Sequence, residues 1–154
     1  MKLAALILFC ILTGLALGIG AFTLADLQRH GQAGVIGVMA GLLAGLAALS
    51  ACLAAAQRGR AALVAGGIAL AAALVLVALA GIEQGIVSAR LAEAQKPRNP
   101  GEVLGAAIGQ GLAMGLAGAV PRLLAVVMAG LGLVIWLVAA IAARVRLSRS
   151  AAPR

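Results

Sequence analysis

Residues 33–56 read AGVIGVMAGLLAGLAALSACLAAA, 24 positions without a charge. At a helical rise of about 1.5 Å per residue this stretch reaches about 36 Å, enough to cross a hydrocarbon core about 30 Å thick. Small residues recur at every fourth position, Ala33, Gly37, Gly41 and Gly45, and so fall on one stripe of the helix. Lipid tails are as apolar as leucine, so helices in a bilayer associate by close backbone approach, which glycine permits. The stretch therefore predicts a transmembrane helix with a packing face.

Working outward, Leu3–Phe22 and Ala61–Ile82 are equally free of charge, and Leu123–Ala143 runs uncharged until Arg144 and Arg146. A helix satisfies its own backbone polar groups where no water is available, and burying a guanidinium costs enough to stop a span. Four spans follow. The whole composition agrees: 64% of the 154 residues are apolar and 10% charged, whereas a soluble domain carries about 25% charged residues. The expected fold class is all-α: one polytopic membrane helix bundle over residues 1–154, with four transmembrane helices and an external amphipathic or re-entrant segment between helices three and four.

That segment spans residues 83–122. From Glu83 to Lys96 the residues Ile86, Val87, Leu91 and Ala94 share one side while Glu83, Arg90, Glu93 and Lys96 are polar, so span three is expected to extend outward as an amphipathic helix. Arg90 and Glu93 are i,i+3 neighbours, and Pro97 and Pro100 end the pattern. Asn99-Pro100-Gly101-Glu102 then reads as a helix start, with a cap, a proline at the first position and an acid in the first turn. Val103–Val120 is uncharged but glycine-rich, and a crossing there would leave only Pro121 and Arg122 to turn into the last span. A short helix on the outer surface, or one re-entering between the spans, fits better. Continuity with the last span through a kink at Pro121 is a further option, and a five-span chain is the alternative.

Lys and Arg beside membrane spans stay cytoplasmic. With the N-terminus inside, the cytoplasm holds 7 basic residues (Lys2, Arg58, Arg60, Arg144, Arg146, Arg149 and Arg154), whereas the outer side holds the other 5 together with all 4 acids. Arg58, Arg60, Arg144, Arg146 and Arg149 are the expected topology anchors. The placement predicted is the inner membrane of a prokaryote, with both termini and the basic tail 144–154 in the cytoplasm. A cleaved signal peptide ending near Gly20-Ala21 or Leu24-Ala25 is the alternative for the first block, but its apolar run exceeds the usual length of about 7 to 15 residues. The basic tail is explained by anionic lipid, so no nucleic acid is expected as a partner.

Further small-residue pairs extend the packing argument: Gly14 with Gly18, Gly105 with Gly109, and Gly111 with Gly115. Chance spacing among 21 glycines accounts for some of these, and for the rest the faces serve either packing inside a four-helix bundle or contact with another subunit. The chain has no Tyr; Phe22 is expected at an interface, and Trp136 falls mid-span, where its indole N–H needs an acceptor. Cys10 and Cys52 lie inside spans, where a thiol behaves as a small apolar group.

Chemistry is scarce. Coupled transporters and proteolipid rings need ionisable groups at membrane depth, and none falls within the four predicted spans. The deepest polar side chains are Thr13, Ser50 and Gln110; Thr and Ser are expected to bond back to the preceding turn, and Gln110 marks either a helix contact or a polar cavity. Asp26 and His30 share a loop with Arg29 but no nucleophile, and neither a phosphate loop nor a metal cluster can be assembled. No cofactor is expected and no enzyme. The functional expectation is an accessory or structural subunit of a larger membrane complex, with the lipid bilayer and other membrane subunits or further copies as partners. A small homo-oligomeric channel or permease component is the alternative, with a holin-like lesion-forming protein as a more distant one.

Overall fold

The computed structural model describes residues 3–28, 31–56, 60–94 and 118–150. Four helices account for nearly all of them: α1 (Leu3–Leu27), α2 (Ala33–Ala56), α3 (Ala61–Ala94) and α4 (Ala119–Ser150). Each contains a stretch long and apolar enough to cross a membrane, and no strand occurs among the described residues.

Contacts between helices set their directions. Gly14 of α1 meets Gly41 and Gly45 of α2 while Gly18 meets Gly37 and Gly41, so the two helices run antiparallel. Gly20 lies under Leu76 and Leu79, and Thr23 reaches Glu83, so α1 and α3 run parallel. Gly132 packs on Gly66 and Ala69, whereas Gly118 packs on Ala80, so α4 is antiparallel to α3. The chain thus goes up, down, up and down. The start of α1, the α2–α3 connection and the end of α4 share one end of the bundle. Paired contacts join α1 to α2 and α3 to α4, α1 and α3 form the middle, and α2 and α4 flank them.

The core is built from small side chains. Ala65, Ala69, Ala72, Ala73, Leu76 and Ala80 line the buried side of α3, facing Phe9, Cys10 and Ala16 of α1 and Ala125 and Met128 of α4. Large aliphatic residues point the other way: Leu42, Leu43, Leu46, Leu74, Val126, Leu133 and Leu137 are all exposed. In water this would leave a broad apolar surface with nothing to cover it. In a bilayer it is the expected arrangement, because lipid solvates leucine as well as protein does, and only the missing side chains of Gly and Ala bring backbones together. The protein is a multi-pass α-helical membrane protein.

Two boundaries differ from the sequence reading. The last helix begins at Ala119, so Pro121 and Arg122 belong to its first turn and not to a preceding linker. The carbonyl of Gly118 accepts the Arg122 amide at 3.1 Å, making Gly118 the cap, and Pro121 sits where no backbone donor is needed. Gly118 itself, with φ of 70°, is not helical, and the path of residues 95–117 leading into it, including any kinked continuation through Pro121, lies outside the described residues. The second difference is Glu83. α3 does continue past Ile82 to Ala94, with Arg90 and Glu93 exposed and Ile86, Val87 and Leu91 half-buried, but Glu83 is inside the bundle rather than on the polar face. Past the end of α1, α3 projects by about 10 Å.

Candidate functional site

At position 83 a carboxylic acid continues the buried stripe of α3. Ala65, Ala69, Ala72, Leu76 and Ala80 precede it at helical spacing, and Glu83, 4% exposed, is the next residue on that face. It sits where α1, α3 and the start of α4 converge. Its Oε1 lies 2.6 Å from Thr23 Oγ1 of α1, and its Oε2 accepts the backbone N–H of Gly118 at 3.0 Å.

Each partner is placed by its own helix. Thr23 is half-buried at the end of α1, and its hydroxyl also lies 2.9 Å from the Gly20 carbonyl, the usual return bond of a helical threonine. Gly118 is held against α3, where a Cβ would lie 2.8 Å from the Ala80 carbonyl oxygen and 3.2 Å from the Ala80 Cβ. Its left-handed φ of 70° also favours glycine. The carboxyl therefore caps a helix whose first turn carries no acid of its own, and a negative charge at a helix N-terminus is stabilised by the backbone dipole. Other polar side chains in the spans are satisfied locally: Thr13 donates to Phe9 O and Ser50 to Ala47 O, both at 2.9 Å, as expected of hydroxyls in membrane helices.

The expectation that Glu83 lies on the polar face of an outward extension is thereby corrected: the acid is buried in the bundle, level with the last turn of α1. An acid ends an uncharged window, so the sequence reading closed span three at Ile82, but the helical phase and its burial continue through the next residue. The signal lay in the repeat of Ala69, Leu76, Ala80 and Glu83 on one face, which places the acid on the core side whatever its charge.

Five of the predicted packing glycines, Gly14, Gly18, Gly37, Gly41 and Gly45, meet at one crossing. A Cβ on Gly14 would lie 2.7 Å from Gly41 O, one on Gly18 would lie 2.9 Å from Gly37 O, and one on Gly37 would lie 2.7 Å from the Phe22 Cβ. Gly45 faces Cys10 O at 3.3 Å. On its outer side this seam forms the floor of an apolar groove of about 590 Å³, walled by Ile11, Leu15 and Ile19 of α1 and Val38, Leu42 and Leu46 of α2. Cys10 and Cys52, both buried and free, are neighbours across the same helix pair. At the far helix pair, Trp136 donates from Nε1 to Leu63 O at 3.0 Å, which supplies the acceptor its indole requires, and its ring lies directly on Gly66.

Arg60 is exposed at the start of α3, and Arg144 is exposed on α4, with Arg146 and Arg149 further along that helix. All four fall at the end of the bundle where the chain starts, whereas Asp26, Glu83 and Glu93 fall toward the opposite end. Gly105, Gly109, Gln110 and Arg58 lie outside the described residues. Among the described residues no group of three or more His, Cys, Asp or Glu converges as metal ligands would. Comparison with protein-family models, curated proteins and solved structures gives no match for this chain.

Proposed function

We propose that this protein is a non-catalytic accessory or structural subunit of a larger membrane assembly, seated in the inner membrane of a prokaryote with both termini in the cytoplasm. The observation that carries the reading is a pair of glycines facing outward. Gly81 and Gly85 are exposed on α3 one helical turn apart, and a Cβ on either would meet no atom of the described residues within 4 Å. Lipid gains nothing from a missing side chain, whereas a second helix gains close backbone contact. Among the described residues Arg60, Arg144, Arg146 and Arg149 fall at the end where α1 starts and α4 finishes, against Arg90 and Arg122 at the other, a bias that supports the orientation. No nucleophile motif, metal-ligand cluster or phosphate loop can be assembled from the sequence to speak for an enzyme.

The test is the mass and composition of the tagged protein extracted gently from its native membrane. A stoichiometric heteromeric complex supports the subunit reading. A pure homo-oligomer replaces it with the channel or permease reading, and a monomer overturns both.

A further inference from the structure

The neighbours of Glu83 can satisfy its hydrogen bonds in either protonation state. Oε2 faces the Gly118 N–H, which can only donate, so Oε2 remains an acceptor in any arrangement. Oε1 faces the Thr23 hydroxyl, and that hydroxyl oxygen is within bonding distance of the Gly20 carbonyl as well. A hydroxyl has one hydrogen and can accept as readily as donate. When Glu83 is ionised, the Thr23 hydrogen points to Oε1. When Glu83 is neutral with its proton on Oε1, that proton points to Thr23 Oγ1 and the Thr23 hydrogen turns to Gly20 O. Every donor has an acceptor in both states, and no heavy atom has to move.

We propose that Glu83 and Thr23 form a reversible proton-binding site within the membrane bundle, with the Thr23 hydroxyl as a rotor that satisfies the carboxyl in either charge state. On binding, a hydronium ion gives its proton to Oε1, the O–H bond forms, the carboxylate charge is neutralised and water is left; release is the reverse. An ionisable group buried among transmembrane helices is rarely retained without use, and proton transfer is the use this geometry permits. The inference goes beyond the subunit reading, which needs no proton.

Among the described residues the charged groups around the site are Asp26 on α1, one turn past Thr23, Arg122 on α4, one turn past Gly118, and Arg90 and Glu93 further along α3, all of them exposed. α2 brings no ionisable side chain except Cys52, near its other end. Asp26 and Glu93 also carry carboxyl groups, so the signal of Glu83 has to be isolated by difference.

The experiment is infrared spectroscopy of the full chain in lipid nanodiscs, stepped reversibly in pH, on wild type, Glu83→Gln, Thr23→Val and Thr23→Ser. The expected result is a protonated-carboxyl C=O band that grows on acidification, reverses on return, and is missing from E83Q. T23V should shift the band and its midpoint, and T23S should restore both. Amide exchange at Gly118 should stay equally protected on both sides of the transition. A wild-type minus E83Q difference without a reversible carboxyl band overturns the proposal. So does a T23V band identical to wild type, and so does loss of Gly118 protection on protonation. If E83Q does not fold, the wild type, T23V and T23S comparison decides alone.

Discussion

The carbonyl oxygen of Gly41 occupies the space in which a side chain on Gly14 would begin, 2.7 Å from the position of its Cβ. The reverse also holds, since a Cβ on Gly41 would lie 2.9 Å from Gly14 O. Both obstacles are backbone, which cannot swing aside as a side chain could. Gly41→Leu should therefore force α1 and α2 apart, at a cost of about 3 kcal/mol, the upper part of the range for overpacking. Gly34→Ala is the control, because nothing lies within 4 Å of that position. Thermal unfolding in a bilayer mimetic should show a large loss for G41L and none for G34A; equal melting of both would remove the seam as a source of stability.

The α3–α4 pair has its own reporter. The chain contains one Trp, so its fluorescence reads the contact of Trp136 with Gly66 and Leu63 without interference. Trp136→Phe keeps an aromatic ring over Gly66 and loses the bond to Leu63 O, a loss of about 1 kcal/mol. Gly66→Ala places a methyl under the indole and should cost more, with a visible shift in Trp emission as the ring is displaced. An unchanged spectrum and stability in G66A would show that the two helices do not meet there.

Gly118 combines a left-handed φ of 70° with backbone 2.8 Å from its would-be Cβ. Gly118→Ala should cost about 2 kcal/mol, since the conformation alone penalises an L residue by about 1 to 2 kcal/mol. Full stability of G118A in thermal unfolding would argue against this start of α4.

Replacing the acid separates its size from its hydrogen bonds. Glu83→Ala leaves the Gly118 N–H buried without an acceptor, and a stranded donor costs about 1 to 3 kcal/mol. Glu83→Gln keeps a carbonyl oxygen for that N–H and should lose less than half as much. If E83A and E83Q unfold together at the wild-type temperature, Glu83 is not a tie between the helices.

The two thiols should be silent in the folded protein. Cys10 and Cys52 are buried within the core of the spans, so a membrane-impermeant maleimide should label neither in intact membranes and both after unfolding in detergent. Labelling of either in the folded state would mean that the α1–α2 pair opens to water.

Much of this molecule follows from the sequence because the bilayer is a demanding solvent. A backbone in hydrocarbon has to be helical, a crossing needs about 20 apolar residues, and charge is excluded, so the uncharged blocks at Leu3, Ala33, Ala61 and Leu123 could be read as spans one residue after another. Thr13 and Ser50 bond to their own helices, which is why their behaviour was also legible. Tertiary structure alone decided which faces meet. Periodicity places Gly14, Gly18, Gly37, Gly41 and Gly45 on stripes but does not say that these stripes lie against each other, and the need of Trp136 for an acceptor did not name Leu63. Glu83 shows the limit most clearly. Its charge marks an end of hydrophobicity, which is a property of the sequence, whereas its burial depends on Thr23 and Gly118, which are 60 and 35 residues away along the chain and adjacent only in the folded bundle.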